Sequence, residues 1–466
     1  MITAEALQHI RSKFRGDLIT RDDPRFDAAR KVFNAMIDRR PGLIARCTSP
    51  EDVAHIIKLA HDRGEVLSVR CAGHNVAGYA VCDEGVVIDL SPMKQIDVDP
   101  VERSVRVEAG ATWGEVNDAL QGHGLAATGG FVSVTGVSGL TLGGGFGWLM
   151  RKHGLALDNL ISAQVVLADG EHVTASAAEN PDLFWAIRGG GGNFGVVTSF
   201  QFRVHPAGTV FAGIVLHPAS GATDVLRHWR EFEKTSPNDL TQGALLFHFP
   251  DDPSAPPALR ASPVIGVGGV CAGPPGDGER VLAPLRNYGP PVADLFQPMP
   301  YNAAQRMADF LWPPGLHNYW KSSYLERLSD EAIDVIADFF GRVPSRRTVV
   351  VLEYYGSDGA MQRVADSDTA FGHRGFPYNF LVTSAWSAPA EGERNIEWTR
   401  QFFEAMRPFA ASSAYLNYIG DEGAAGLDAS YGAGKLARLA SLKAKYDPDN
   451  IFRMNQNIAP ASAPSR

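Results

Sequence analysis

The segment RCAGHNVAGY, residues 70–79, places His74 in a glycine-bounded turn between two apolar stretches. Residues 66–69 (VLSV) precede the turn and residues 86–90 (VVIDL) follow it, and both are typical of short buried strands. Glycine on either side of the histidine permits backbone conformations that bring the chain close to a ligand. His74 taken alone is compatible with acid–base chemistry, a metal ion, a bond to a ligand or a purely structural role.

Two glycine runs elsewhere in the chain narrow this choice: GLTLGGGFG at 139–147 and RGGGGNFG at 188–195. Neither fits a Rossmann fingerprint, since no clean strand opens a βαβ unit there and no acidic residue stands at the ribose position. Neither ends in Gly-Lys-Ser/Thr, which excludes a Walker A loop. Glycines that merely turn the chain are the alternative. Together with the His74 turn, the runs predict one long ligand with a pyrophosphate in its middle.

The bulk composition is that of a globular protein. The chain has 466 residues, of which 45% are hydrophobic and 20% charged, and this length accommodates two or three domains. A net charge of −9 without a strongly basic stretch argues against nucleic-acid and anionic-membrane partners. The sequence has no apolar run of about 18 residues and no signal-peptide core, so we expect a cytoplasmic location. The oligomeric state is left open.

The four cysteines are at positions 47, 71, 82 and 271. They form no C-x-x-C pair and have no accompanying histidines at zinc spacing, so we expect no metal site. An even number permits disulfides, but a chain without an export signal is expected to keep free thiols. Free cysteines of this kind are mostly buried and unreactive.

Short strand and helix signals alternate between residues 40 and 205. AQVVLADGEHVTAS predicts a hairpin that turns at Asp169-Gly170. Helices are predicted over residues 53–60 and 112–124 and after Asn180-Pro181, with N-caps at Ser49, Thr112 and Asn180.

The pattern changes near residue 206. Strand signals such as GALLFHF, VIGVGGV, TVVVLEYYG and YNFLVTSAW are then spaced by helices up to about residue 410, which predicts an α+β domain with a largely antiparallel sheet. A last helix is predicted over residues 431–446, where leucines share one face and DPDN ends the pattern.

Four segments in this order resemble the berberine-bridge-enzyme-like branch of the vanillyl-alcohol-oxidase (PCMH-type) FAD flavoproteins. They are RCAGHNVAGY, GVSGLTLGGGFGWLMRKHGLALDNL (136–160), ENPDLFWAIRGGGGNFGVVT (179–198) and YDPDNIFRMNQNI (446–458). The resemblance implies an α+β fold in which an antiparallel-sheet substrate domain is inserted before the C-terminal segment of a bipartite FAD-binding domain. The implied boundaries are 1–205 for the FAD-binding domain, 206–410 for the substrate domain and 411–466 for the completing segment.

The resemblance also implies how FAD is held. The family's Gly-His histidine bonds covalently to the flavin 8α-methyl, which makes His74 the candidate. Many members add a link from a cysteine to flavin C6, but GFVSVTG (130–136) has Val132 at that position, so we expect one covalent bond and a monocovalent subgroup. The other implied cofactor-binding residues are Arg70, Ala72, Gly73, Asn75, Val76, Val132, Thr135, Gly136, Val137, Ser138, Gly139, Gly143, Gly144, Gly145, Asp158, Gly195, Val196, Val197, Asn417, Asn455 and Asn457.

The segment AYLNYIGD (414–421) resembles the family's Tyr-x-Asn-Tyr motif beside the flavin. It makes Tyr418 the first candidate for the catalytic base. A tyrosine pKa near 10 requires help from a cation or a second hydroxyl, which Tyr415 could supply. The strand position where other members carry a carboxylate is apolar here, at Leu381, so Glu353 is the remaining candidate. Glu353 is either a site base or a solvated edge residue.

Aromatic residues of the middle region indicate the character of the substrate pocket. The candidates Tyr301, Trp312, Trp320 and Tyr378 together favour a flat or aromatic substrate over a sugar.

The resemblance implies a covalent FAD-dependent oxidase that transfers hydride from a small aromatic or secondary-metabolite substrate to flavin N5, with O₂ as acceptor. Thr135, a small residue where the family controls oxygen access, favours this interpretation. Two alternatives use the same cofactor: an oxygenase or cyclase of secondary metabolism, and a dehydrogenase with an acceptor other than O₂. A remote alternative is a non-catalytic flavin-binding protein, which intact His74 and Tyr418 disfavour.

Overall fold

Strands and helices alternate through the first 206 residues, as predicted. The computed structural model describes residues 4–253, 255–257, 259–274 and 276–462. The strands of this part are β1 (Asp17–Ile19), β2 (Leu43–Arg46), β3 (Leu67–Arg70), β4 (Val86–Asp89), β5 (Ile96–Asp99), β6 (Ser104–Glu108), β7 (Leu125–Ala126), β8 (Leu160–Val166), β9 (His172–Ser176), β10 (Val196–Arg203) and β11 (His205–Pro206). The helices are α1 (Ala4–Arg11), α2 (Phe26–Ala29), α3 (Pro50–Asp62), α4 (Trp113–Gln121), α5 (Val137–Gly143), α6 (Met150–His153) and α7 (Pro181–Ile187).

Two sheets organise these elements. The first has the order β1-β2-β4-β3, and β4 pairs in parallel with both β2 and β3, so VVID of β4 is buried along its whole length. The second has the order β5-β6-β10-β8-β9 and is antiparallel. The β8–β9 pair confirms the hairpin at Asp169-Gly170, with Val166 opposite His172. The His74 turn therefore begins at the carboxyl end of β3, the edge strand that pairs with the buried β4.

Two of the three predicted helix caps are confirmed. The Ser49 side chain accepts the Asp52 N–H at the start of α3, and Thr112 and Glu115 form a reciprocal capping box at the start of α4. The prediction for Asn180 is wrong in one respect. Asn180 does precede Pro181 of α7, but its backbone is left-handed (φ +48°) and its amide donates to Thr174 O, so the side chain anchors β9 rather than capping the helix.

The second half of the chain builds a larger sheet, with the order β15-β12-β14-β13-β18-β19-β17 and β16 on β12, which confirms the antiparallel prediction. Its strands are β12 (Thr209–Pro218), β13 (Leu240–His248), β14 (Pro263–Cys271), β15 (Ala293–Asp294), β16 (Gln297–Pro300), β17 (His317–Leu325), β18 (Val349–Tyr354) and β19 (Tyr378–Trp386). The helices are α8 (Ala222–Glu233), α9 (Asp277–Arg286), α10 (Tyr301–Arg306), α11 (Asp330–Gly341), α12 (Ala360–Arg363), α13 (Gly392–Met406) and α14 (Gly423–Tyr446).

Side-chain alternation divides this sheet into two faces. Leu352 of β18 and Phe380 of β19 pack against helices α8, α11 and α13 in one apolar core. The intervening residues, such as Glu353 and Leu381, face away from those helices and line a cavity. The strands of the first two sheets end by residue 203, and those of the large sheet run from 209 to 386. The boundaries at 205 and 410 stay a prediction.

The C-terminal segment returns to the first half of the chain. Helix α14 begins earlier than predicted and is broken at Gly432 (φ +69°), so the predicted helix corresponds to its second part. The buried Lys443 ammonium bonds Asp447 at 2.5 Å, Asn193 O at 2.8 Å and Phe452 O at 3.0 Å. This ion pair ties the segment after α14 to the second glycine run.

Three absences hold for the described part of the chain. None of its helices has the length and apolar character needed to cross a bilayer. No group of three or more His, Cys, Asp or Glu side chains among these residues is arranged to hold a metal ion. All four cysteines are free, as expected.

Candidate active site

A cavity of about 330 Å³ joins the first half of the chain to the open face of the large sheet. Segments that are far apart in sequence meet around it: the His74 turn, residues 130–142, residues 191–197, the large sheet and residues 416–418 and 452–456. The expected cofactor residues that line it are Ala72, Gly73, His74, Asn75, Val132, Thr135, Gly136, Ser138, Gly139, Gly195, Val196, Val197, Asn417 and Asn455. Those outside the lining are Arg70, Val76, Val137, Gly143, Gly144, Gly145, Asp158 and Asn457.

The His74 imidazole is held neutral at the cavity. Its ring stacks on Phe33 with centroids 4.3 Å apart, and its Nε2 is buried without a hydrogen-bond partner. Burial lowers the pKa of His74 to about 4. Gly73 has φ +65°, the left-handed region that favours glycine. A neutral imidazole nitrogen is nucleophilic, so the ring is in the form that covalent attachment requires.

Two residues expected to contact the cofactor have charged groups engaged elsewhere. Arg70 forms a buried ion pair with Asp89 at 2.7 Å and donates to Ala29 O. Asp158 forms a buried ion pair with Arg374, with N–O distances of 2.7 and 3.0 Å. Both therefore fix loops beside the cavity, and a direct contact of either with the cofactor stays a prediction.

Cys71 lines the cavity, which sequence reasoning did not foresee. A Cβ added to Gly136 would lie 2.4 Å from its sulfur, so the thiol packs beneath the 130–136 segment. Burial is the main cause of its raised pKa, which keeps it a thiol and unreactive. Val132 also lines the cavity, at the position where other members carry cysteine.

The second glycine run and the C-terminal segment form the opposite end of the cavity. Asn455 Nδ2 donates to Gly192 O and Phe452 O, whereas its Oδ1 is buried without a partner. Asn193 also lines the cavity; its amide donates to Gly190 O and Gln456 O and accepts from Ile458 N. Sequence reasoning did not select Asn193, and the signal that could have identified it was its position inside the second glycine run.

Two of the three glycines at 143–145 make room for the Tyr-x-Asn-Tyr segment. A Cβ on Gly143 would lie 2.1 Å from Asn417 Oδ1, and one on Gly144 would lie 2.8 Å from the Tyr415 ring. The Tyr415 hydroxyl accepts the Gly145 N–H at 2.9 Å and the Asn417 amide at 2.7 Å. Close packing against this segment accounts for Gly143 and Gly144, whereas a Cβ on Gly145 would lie 2.3 Å from that of Ala156; the approach of all three to the flavin stays a prediction.

The carboxylate of Glu353 is the centre of a buried polar cluster. Tyr418 donates its hydroxyl to Oε1 at 2.8 Å, and Tyr355 and Asn379 donate to Oε2 at 2.5 and 3.0 Å. Burial raises the pKa of Glu353 to about 6, and the three hydrogen bonds oppose that rise. Glu353 is only 6% exposed, which excludes a solvated edge residue. A carboxylate with a pKa near neutrality is typical of a general base.

The neighbour of Tyr418 is a carboxylate, not a cation. Burial and the negative charge of Glu353 raise the pKa of Tyr418 well above its usual value, so the hydroxyl keeps its proton at neutral pH. The expected help from Tyr415 is also wrong, because the Tyr415 hydroxyl bonds to Gly145 and Asn417. The ionised member of the pair is therefore Glu353. Asn379 was missed by sequence reasoning, although it shares its strand face with Leu381.

The substrate side of the cavity is apolar. Trp312, Trp320, Leu245, Val351 and Leu381 line it, as predicted for the two tryptophans. The Trp312 indole N–H donates to the Thr383 hydroxyl at 3.0 Å, and that of Trp320 donates to Asn318 Oδ1 at 3.1 Å.

The other two aromatic candidates are wrong as pocket residues. Tyr301 is fully buried in a separate core, and Tyr378 points to the helix side of the large sheet.

The residues of the cavity fit FAD. Added Cβ atoms at Gly139 and Gly192 would meet nothing within 4 Å, so the backbone of both glycine-rich segments is open to the cavity. The unpartnered His74 Nε2 and Asn455 Oδ1 are buried polar atoms, which seldom occur without a partner. A polar ligand spanning the two segments would be in reach of both.

Comparisons with known proteins agree with this geometry. Residues 41–176 match an FAD binding domain model, and residues 414–459 match a berberine and berberine-like model. An uncharacterized FAD-linked oxidoreductase of Bacillus subtilis is 30% identical over 462 residues, covering 97% of this chain and 98% of that protein. The (R)-6-hydroxynicotine oxidase of Paenarthrobacter nicotinovorans is 32% identical, covering 96% and 97%. The crystal structure of 6-hydroxy-D-nicotine oxidase from Arthrobacter nicotinovorans superposes with a TM-score of 0.85 at 30% identity, covering 96% and 99%.

Proposed function

This chain belongs to the berberine-bridge-enzyme-like family of PCMH-type FAD-linked oxidoreductases, and we propose that it is an oxidase of a small, largely apolar substrate, with O₂ as electron acceptor. It is an FAD-dependent enzyme, and FAD is its cofactor. The observation that carries the proposal is the Glu353–Tyr418 pair, which lines the same cavity as the neutral His74. A non-catalytic flavin-binding protein would not require a buried carboxylate with a pKa raised toward neutrality.

His74 is the proposed single covalent attachment point. Its neutral ring, its stacking on Phe33 and its place at the cavity support this role. Val132 and the buried thiol of Cys71 support the absence of a cysteinyl link. The open backbone at Gly139 and Gly192 supports the predicted pyrophosphate site.

Bound FAD supplies a two-electron acceptor that takes hydride from a substrate C–H bond. The chain's own contribution is proton removal and exclusion of water. Above pH 6 Glu353 is ionised, and its Oε1 accepts a hydrogen bond from the Tyr418 hydroxyl. When the substrate donates an O–H or N–H proton to the Tyr418 oxygen, the tyrosine proton passes to Glu353. Tyr355 and Asn379 hold the carboxylate in place during this relay.

The oxidase alternative is preferred because Thr135, a small residue, lines the cavity on the segment that governs oxygen access in the family. The test is anaerobic reduction of the holoprotein by a panel of alcohols, amines, sugars and polyphenols, followed by admission of air. Prompt flavin reoxidation with stoichiometric hydrogen peroxide is the expected result. Reoxidation only by a quinone or protein acceptor would identify a dehydrogenase, and oxygen in the product would identify an oxygenase. A flavin that no compound reduces would contradict the proposal.

A further inference from the structure

The charge of the cavity is unusual. Of the described residues that line it, Glu353 is the only Asp, Glu, Lys or Arg. The partners of its carboxylate are neutral donors: two tyrosine hydroxyls and one amide. The titratable groups that face it are the hydroxyls of Tyr324, Tyr355, Tyr415 and Tyr418, all with raised pKa values and therefore neutral. The site thus buries one negative charge and lines it with no side-chain cation.

Such a carboxylate is unfavourable unless something compensates it, because a buried charge loses its hydration. Three buried carboxylates among the described residues have a cationic partner: Asp89 pairs with Arg70, Asp158 with Arg374, and Asp447 with Lys443. Glu353 stands apart from these structural pairs and opens onto the substrate side of the cavity. The diphosphate of the cofactor adds further negative charge to the same cavity. A ligand that brings a positive charge is favoured there, and an anionic ligand is disfavoured.

The walls restrict the rest of the ligand. The side-chain hydrogen-bonding groups of Trp312 and Thr383 bond to each other, and the Trp320 N–H bonds to Asn318. Around Glu353 and Tyr418, the walls are formed by indole rings and by Leu245, Val351 and Leu381. A sugar would lose hydrogen bonds to water without replacement on such a surface. Indole faces also attract cations.

We propose that the substrate is an apolar, ring-containing primary or secondary amine that enters as its ammonium ion, with Glu353 as the counter-ion. This inference rests on the proposed function and assigns its substrate class. An N–H proton of the ammonium passes to the carboxylate, directly or through the Tyr418 hydroxyl, which leaves Glu353 a neutral acid and the amine with a free lone pair. That lone pair assists loss of hydride from the adjacent carbon, and FAD is the two-electron acceptor.

The test uses isosteric probes of different charge. Benzylamine, benzyl alcohol and benzoate are titrated calorimetrically into the anaerobic holoprotein at pH 7.5. Benzylamine should bind at least 10-fold more tightly than benzyl alcohol, and benzoate should bind more weakly than either. Glu353→Gln should lower benzylamine affinity to that of the alcohol while alcohol affinity changes less than about 2-fold. Equal binding of amine and alcohol, or an amine preference that survives Glu353→Gln, would overturn the proposal.

The matched control is Glu233→Gln. Glu233 is a second buried carboxyl group, but it lies outside the cavity lining, and burial raises its pKa to about 9. It is therefore protonated at pH 7.5, and its substitution should leave the amine preference unchanged. If Glu233→Gln also lost the preference for the amine, the loss would reflect general disruption of the protein, and the assignment to Glu353 would be overturned.

The pH dependence of the unmutated protein is a second measurement that needs no variant. Benzylamine affinity should fall as the pH drops below about 6, where Glu353 becomes protonated, whereas benzyl alcohol affinity should stay level. A flat benzylamine profile between pH 5 and 7.5 would overturn the proposal. If amines bind preferentially but no amine reduces the flavin, the proposed oxidase function fails while the binding assignment stands. If alcohols alone bind and reduce the flavin, the amine assignment fails and the oxidase function stands.

Discussion

Replacing Glu353 by glutamine removes the site's negative charge with little change in volume. An amide cannot take a proton at neutral pH, so the relay from Tyr418 loses its acceptor. The amide oxygen can still accept one tyrosine hydroxyl, but the amide nitrogen cannot accept the second. We therefore expect flavin reduction to slow by roughly 10²- to 10⁴-fold, the usual contribution of a positioned acid–base group.

Glu353→Gln is expected to slow flavin reduction, but removal of the buried charge acts in favour of the stability of the folded state. The pKa of Glu353 rises from 4.5 to about 6 on folding because the group is buried. The folded state binds this proton more tightly than the unfolded state does. Below pH 4.5 the carboxyl group is protonated in both states, so it adds no penalty for a buried charge to the free energy of folding. Above pH 6 both states are ionised, and the folded state carries the full penalty of about 2 kcal/mol. The weaker hydrogen bonds of the glutamine oppose this gain, because a bond to a charged group is worth about 1.5–3 kcal/mol.

The assay combines two pH series on the unmutated protein and the variant. Stopped-flow anaerobic reduction should show an ionisation near pH 6 in the unmutated protein and none in Glu353→Gln. Thermal unfolding of both proteins from pH 4.5 to 6.5 should show the free energy of unfolding of the variant rising relative to that of the unmutated protein by about 2 kcal/mol, because Glu353 ionises only in the unmutated protein. A variant that keeps the ionisation near pH 6, or reduces at the native rate, would refute the assignment of that proton to Glu353.

Three further outcomes are expected. His74→Ala should release flavin into the supernatant on acid precipitation, whereas the unmutated protein should keep its flavin on a denaturing gel. Peptide mapping of the unmutated protein should find the flavin on the His74 peptide and not on Cys71. Free flavin from the unmutated protein would contradict the covalent bond. Tyr418→Phe should retain the fold and the flavin but slow stopped-flow flavin reduction by roughly 10²- to 10⁴-fold, and native-rate reduction would remove Tyr418 from the relay. Lys443→Met should lower the free energy of unfolding by about 3–5 kcal/mol in a denaturant titration, because Asp447 is left buried without its cationic partner. Ser441→Ala, at an exposed position of the same helix, should have little effect.

Local features could be predicted from the sequence because their causes lie within a few residues. The caps at Ser49 and Thr112 and the Asp169-Gly170 hairpin depend on neighbouring side chains and turn geometry, and the structure has them where the pattern placed them. Asn180 departed from its pattern because Thr174, across the turn, competed for its amide. The order of the four motifs was specific enough to indicate the family and its cofactor.

Strand alternation predicted more than local structure. A period of two places Glu353 on the cavity face of β18, and the same rule applied to β19 would have found Asn379 beside Leu381. Periodicity cannot say which face of a strand meets the cofactor domain and which meets helices. For that reason the strand residues Tyr378 and Trp320 were indistinguishable as pocket candidates, although only Trp320 lines the cavity.

The family, the cofactor and the antiparallel sheet could be predicted from the residues alone, as could 14 of the residues that line the cavity as cofactor-binding candidates. Only the tertiary structure decided what those residues can do. Glu353 and Tyr418 are 65 positions apart, and their 2.8 Å contact exchanges the expected roles: the carboxylate is the ionised member, and the tyrosine keeps its proton. The physical reason is that a pKa depends on burial and on every charge nearby, and those are set by packing between distant segments.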